Sequence, residues 1–357
     1  MANPQVSIIV PVFKTPIVLL RRSLHSVLDQ TLADIELVAV DDASPDDCPQ
    51  VLDEIAAADE RLTVIHRAEN GRAGAARNEG LEIAQGEFVL FADADDCLMS
   101  DACSRLVALA RDNEADVVAC SWTDVDGAGQ TLRPHALADR LYDLSGKADR
   151  LHCFHSMTYA LWNKLFRREM LGDLRFVSFE ANIGEDTLFN VGALCRCRRM
   201  VTTSYSGYRY TVHWASATGR SAKGLPYLET ISRSQQAIAE TLAATDVAHD
   251  REYADWLALK RFVTGCEWIA ENRDVAERTE LWEHWRNHLS REVLPGLETH
   301  RTMGRLFRTV LKMAKPRVAA RMMRVATRAH DRATGTVRSG AELLRSCYRL
   351  FGRDRIA

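Results

Sequence analysis

Three aspartates close a short apolar run: Phe88-Val89-Leu90-Phe91-Ala92 leads into Asp93-Ala94-Asp95-Asp96. The run is too short for an ordinary helix and is rich in aromatic and β-branched residues, so it reads as a buried strand. Carboxylates without partners cannot continue into a dry core. The strand must therefore surface at Asp93, and in an open α/β sheet the carboxyl ends of strands are where ligands bind. Residues i and i+2 of an extended segment point the same way, so Asp93 and Asp95 share a face. Two carboxylates on one face suit a hard divalent cation that also holds phosphate oxygens, and Mg²⁺ and Mn²⁺ fit equally. Taken alone, such a pattern is more often an acidic start for the next helix, here Ser100 to Asp112. Its surroundings decide.

Other chemistry-bearing groups stand at comparable places. Asp41-Asp42 follows an apolar run, Pro11 to Lys14 ends another, and Gly71 to Arg77 opens a helix. Each alone is a turn, a cap or a tightly packed helix start, but the topology rule puts the strand ends on one edge. A carboxylate there can accept the N–H of a base or the hydroxyls of a ribose. Arg72 and Arg77 can meet phosphate charge, which arginine does bidentately. Base, ribose, diphosphate and metal can all be placed at that edge. There is no Gly-x-x-x-x-Gly-Lys-Ser/Thr loop, and no Gly-x-Gly-x-x-Gly after the first strand, which lowers the kinase and dehydrogenase readings.

The elements that must position these residues follow from periodicity. Strands are expected at Val6 to Phe13, Ile35 to Val40, Leu62 to Ile65, the run ending at Asp93, and Asp116 to Cys120. Helices are expected at Ile17 to Leu28, from about Pro45 to Ala58, Gly71 to Ala84, and Asp101 to Arg111. Strands alternating with helices indicate a doubly wound, mostly parallel α/β sheet. After Ser121 the pattern loosens. Gly127-Ala128-Gly129 marks a hairpin or loop, His152 to Met170 reads as helical or mixed, and Asn182 to Asp186 is a loop into a helix over Thr187 to Cys195. Met200 to Tyr210 alternates like a strand, and beyond Pro226 only helical periodicity remains. The division expected is 1–225 for the catalytic domain, split into a nucleotide half (1–120) and an acceptor half (121–225), then a helical extension over 226–300 and a tail over 301–357.

The 357 residues, 46% hydrophobic and 27% charged, are ordinary for a globular protein. Nine cysteines lack paired ligand spacing, which disfavours zinc. With no basic, apolar leader over Met1 to Gln5 and no run of membrane-span length, the expected location is the cytoplasm. The net charge of −3 hides an asymmetry: residues 301–357 hold 15 Lys and Arg against 3 Asp and Glu. The acidic body with a basic tail suggests an anionic partner. Two readings of that tail stand equal. One is an amphipathic segment lying on the anionic inner membrane face, and the other is a helix packed on the body or on a sister subunit. Nucleic acid is a weak third, since the tail has few aromatics and no recognisable module.

Taken in order, VSIIVPVF, VAVDDAS and ENGRAGAARNEGLEIAQGEFVLFADADD resemble glycosyltransferase family 2, with WNKLFRR, IGEDTLFN and YRYTVHWASAT continuing the likeness over roughly the first 220 residues. The resemblance implies a GT-A type, Rossmann-like fold and an inverting transferase. Its donor would be a nucleotide-diphospho sugar, with uridine the expected base, and its acceptor a cell-surface glycan or glycolipid. It puts Pro11 and Asp42 on the base, with Val12, Phe13 and Arg72 nearby. Asp93 and Ala94 fall at the donor, Asp93 facing ribose or metal, and Asp95 is the main metal ligand. Asp186 matches the general base, with Glu185 as the alternative. Trp162 and Asn163 fall where acceptor or donor sugar is held. Arg209, His213 and Ser216 match a terminal motif that reaches the diphosphate or metal. Lys14 stands where the family often has Asn. The competing functions are a nucleotidyltransferase that makes an activated sugar, whose usual Gly-rich basic loop is replaced here by Phe13-Lys14-Thr15-Pro16, and a non-catalytic nucleotide-sugar binder.

Overall fold

A computed structural model describes residues 4–156, 158–179, 184–212, 225–245, 269 and 275–288. The chain divides into two compact units, Met1–Ala222 and Lys223–Ala357. In the first, β1 (Val6–Val12), β2 (Ile35–Asp41), β3 (Leu62–His66) and β4 (Phe88–Phe91) alternate with α1 (Ile17–Leu28), α2 (Cys48–Ala58) and α3 (Arg72–Ile83). The four strands lie side by side in the order β3-β2-β1-β4, all parallel. The runs of Val, Ile and Leu in β1 and β2 are buried on both faces, which is what a central parallel strand needs. Burying each such side chain contributes about 1.5–3 kcal/mol.

Past β4 the chain changes character. It passes through β5 (Cys97–Leu98), α4 (Ala102–Asp112), β6 (Val117–Val125), β7 (Thr131–His135), β8 (Arg140–Asp143), α5 (Lys147–Ser156), β9 (Lys164–Arg167), α6 (Arg168–Leu171), α7 (Glu185–Arg196) and β10 (Arg199–Thr211). The sheet continues from β4 as β9-β6-β10-β5, with β7 on β6 and β8 on β10. Only β6 and β10 run parallel here, and β9 is antiparallel to both its neighbours. The mixed stretch expected over His152 to Met170 resolves into the end of α5, a loop, β9 and α6, so Trp-Asn-Lys-Leu-Phe leads into and through a strand. Glu185 and Asp186 are not in the loop but form the first turn of α7, entered through Gly184 at φ 92°, a conformation that favours glycine.

Two contacts fix the elements that bear the site. α3 has little apolar face of its own and is held close to β1 by small residues: a Cβ at Gly80 would lie 2.5 Å from Ile9 Cγ2. α7 is held by phenyl rings. Phe189 stacks on Phe176 at 4.0 Å and meets Phe91 of β4 edge-on at 5.5 Å. In the second unit the described elements are α8 (Leu225–Ala243) and α9 (Val275–His288). No helix among the described residues is long and apolar enough to cross a membrane. The tail over 301–357, with both readings of it, lies outside the described residues.

Candidate active site

The acidic run leaves the sheet where the alternation predicts, but its three aspartates have different surroundings. Asp96 turns inward and is 1% exposed. It accepts the Tyr208 hydroxyl at 2.9 Å and the Thr211 amide at 2.6 Å, tying the loop to β10. Burial pushes its carboxyl well up, and the charges of Asp93 and Asp95 push the same way. Asp93 is a third exposed. Its carboxyl is also raised, chiefly by desolvation; Arg77 pulls it down, while Asp95 and Glu185 push it further up. Three carboxyls crowded after one strand repel one another, and a divalent cation facing Asp93 and Asp95 would relieve that repulsion. No group of three His, Cys, Asp or Glu among the described residues forms a self-sufficient metal cage. The donor set thus suits an ion that takes its remaining ligands from phosphate and water. His213 and Ser216 lie outside the described residues.

Arg77 joins two parts of the chain far apart in sequence. From the middle of α3, with its side chain only 6% exposed, it donates through Nη2 to Asp93 Oδ1 at 3.0 Å and through Nη1 to Asp186 Oδ1 at 2.8 Å. Its guanidinium rests over the Phe176 ring at 5.5 Å. The opposed charges raise its pKa against the cost of burial. Asp186 is pushed up to about 7 by desolvation, with Glu185 and Asp93 adding to the rise and Arg77 opposing it. One Asp186 oxygen is held by Arg77, and a third of the side chain remains open. A carboxylate near neutrality with one face free is suited to take a proton.

At the other end of the edge, Asp42 is 2% exposed. Its Oδ1 accepts from Arg67 and from the Gly71 amide at 2.8 Å, and its Oδ2 is buried without a partner. The Val12 carbonyl accepts the Asp42 amide at 2.8 Å. The Val12 and Ala94 side chains are buried in the core, Pro11 is partly open and Phe13 is 43% exposed. Lys14, Ala43 and Arg72 have φ of 50°, 58° and 70°. Three of the four non-glycine residues with positive φ among the described residues thus sit on this edge. Such backbone strain clusters at ligand sites. The Arg72 guanidinium reaches the Phe179 carbonyl at 2.6 Å.

Residues 7–175 match the family model for glycosyl transferase family 2. EpsH of Bacillus subtilis (strain 168), named as a glycosyltransferase, is 33% identical over 250 residues, which cover 68% of this chain and 70% of that protein. The chain belongs to glycosyl transferase family 2. A poly(ribitol-phosphate) beta-glucosyltransferase of Bacillus spizizenii is 28% identical over 58% of this chain but only 32% of its own length. Among solved structures, S. aureus TarS 1-349 in complex with UDP superposes with a TM-score of 0.66 at 21% identity, covering 91% of this chain and 92% of TarS 1-349; the same fragment is also solved with UDP-GlcNAc. The shared fold is of the GT-A, Rossmann-like kind.

On the second half of this transferase's sheet, Trp162 lies across Tyr208 and Tyr210, with centroids at 4.6 and 5.4 Å, and meets Trp122 edge-on. Trp122 in turn stacks on His135, which is tethered to Asp124 at 2.8 Å. Asn163 is 1% exposed. Its amide donates to the Cys120 carbonyl at 2.9 Å and accepts from Lys164 Nζ, so the side chain faces inward. Arg209 donates to the Gly129 carbonyl at 2.6 Å, on the hairpin turn that follows β6. Glu185 Oε2 is buried and has no partner. Sequence reasoning named Arg77 only as a phosphate partner and overlooked its bridge to Asp186, because no local pattern marks a pairing 109 residues long. It also passed over Lys164 and Asn190, whose burial no periodicity announces.

Proposed function

We propose that this transferase moves a sugar, with inversion, from a UDP-linked donor to a hydroxyl of a cell-surface polysaccharide or glycolipid. The observation that carries the reading is the Arg77 bridge, which ties Asp186 to Asp93 in the turn that follows β4. A leaving diphosphate and an attacking hydroxyl must meet across one anomeric carbon, so the base and the diphosphate seat have to be neighbours. Asp42 Oδ2, buried and unpartnered, is an acceptor ready for a base N–H or a ribose hydroxyl. Asp186 takes the acceptor proton as attack proceeds, and Arg77 holds its carboxylate in position. Glu185, beside it with an unpartnered oxygen, orients the incoming sugar through its hydroxyls. A divalent cation held by Asp95, with Asp93 beside it, would supply charge neutralisation on the diphosphate. UDP is favoured by the TarS complexes and the polysaccharide class by the relatives' names, each a property of those proteins.

The test is a thermal-shift screen of nucleotide-diphospho sugars with Mn²⁺ or Mg²⁺, since a ligand bound only by the folded state raises apparent stability. UDP-sugars are expected to raise Tm in wild type and in Asp186→Asn, and to lose the metal-dependent part of the shift in Asp95→Ala. An equal shift with and without metal in wild type would remove the cation from the scheme, and no shift with any UDP-sugar would remove the donor assignment.

A further inference from the structure

Beside Asp186, a stretch of irregular backbone is gripped from within. Lys164, at the first position of β9, is fully buried. Its Nζ donates to the carbonyls of Thr158 at 2.8 Å and Ala160 at 2.5 Å, and to Asn163 Oδ1 at 2.9 Å. Asn190, one turn beyond Asp186 on α7 and 1% exposed, donates through Nδ2 to the Tyr159 carbonyl at 2.8 Å and to the Asp186 carbonyl at 2.8 Å. Three successive carbonyls, 158, 159 and 160, therefore each accept from a buried side chain, and one of those donors is shared with the backbone of Asp186.

This is a costly way to pack a loop. A buried ammonium loses its hydration, and burial pushes Lys164 down to about 7. Asn190 Oδ1 is left buried without a partner, so that amide is oriented for its donors alone. Apolar side chains would fill the same space at less cost. What the polar pair provides instead is direction: hydrogen bonds fix each carbonyl, and with it the path of the backbone that delivers Trp162.

We infer that Lys164 and Asn190 are positioning residues that fasten residues 158–162 to the turn of α7 carrying Asp186, and so set where the acceptor's sugar ring rests relative to the base. The acceptor half of this statement rests on the function proposed above; the fastening itself does not.

Two measurements on Lys164→Met and Asn190→Ala separate these parts. In hydrogen exchange, both variants are expected to speed the amides of 158–163 by about tenfold or more while β1 to β4 keep their protection. In steady-state kinetics with UDP-GlcNAc and a panel of octyl glycosides as acceptor probes, acceptor KM is expected to rise about tenfold, kcat to fall less, and UDP affinity to stay within about twofold. Unchanged exchange over 158–163 in both variants overturns the fastening, and so does an equal rise over β1 to β4, which would make the pair general stability residues. A changed exchange with unchanged acceptor KM overturns the positioning role. Absence of UDP binding and transfer in wild type would instead count against the proposed function, with the exchange result still deciding the fastening.

Discussion

The two halves of the sheet solve different problems. From β3 to β4 every pairing is parallel and the strands are mainly apolar, with Ser7 and Glu36 near their amino ends and Asp41 and Asp42 at the carboxyl end of β2. From β9 to β5 parallel and antiparallel pairings alternate and β7 and β8 are exposed strands, while polar side chains such as Asn163, Lys164 and Asn190 lie inside. In the proposed reading, the first half presents the edge that would take the donor's nucleotide diphosphate. The second builds an individual surface from irregular backbone, and there polar interior contacts replace the regularity that the strands lack. Under the function proposed above, the contrast would be a division of labour, in which regular hydrogen bonding holds the common nucleotide and side chains that pin particular carbonyls hold the variable acceptor.

Mutations can break that division, and the largest effect is expected at the junction. Asp186→Asn should lower transfer by about 10²–10⁴-fold, the usual worth of a positioned base, with UDP affinity nearly unchanged. Matching losses of UDP affinity would place Asp186 in the donor half instead. Arg77→Met strikes both halves at once. Two carboxylates lose their shared cation, at a cost of up to about 3 kcal/mol, reduced because a third of each is open to water. Chemical denaturation should show that loss, and a mutant as stable as wild type would make the bridge ornamental.

The pH dependence sharpens the junction further. Asp186 is pushed up to about 7, so kcat/KM should climb about tenfold per pH unit below that point and level off above it, because only the ionised form takes a proton. Arg77 pulls the carboxyl down, so Arg77→Met should move the rising limb to higher pH. Stability carries the opposite sign. A carboxyl raised in the folded state binds protons there that the unfolded chain has released, so its contribution declines as pH rises from about 4 to about 7. A kcat/KM profile that falls between about pH 4 and 7 would exclude Asp186 as the base. The smallest effects should stay within one half. Asp42→Ala should weaken UDP binding by about tenfold, the worth of a hydrogen bond to a charged group, and spare kcat at saturating donor. Trp162→Ala should raise acceptor KM with donor affinity intact, measured by titration with UDP.

The same contrast governs what the sequence discloses. Largely apolar runs mark β1, β2 and β4, and the acids that follow β2 and β4 stand out against them. α1 spans Ile17–Leu28 as its periodicity predicts. In the other half the signals fail for physical reasons. β5 has only two residues and β7 is mostly polar and exposed. Leu165 and Phe166 are too few to distinguish strand from helix without knowing that β4 and β6 flank them. Asp96 looks like its two neighbours until Tyr208 and Thr211, more than a hundred positions away, claim its oxygens.

The missing side chain at Gly80 acts as a gauge for the chemistry. It stands one turn from Arg77 on the same helix, and Ile9 leaves no room for even a methyl there. Any bulk at that position would lever α3 off the sheet and carry the guanidinium away from both its carboxylates. Catalysis should then be lost through a residue that touches neither sugar nor nucleotide, and a screen for inactive variants would find it among the active-site substitutions.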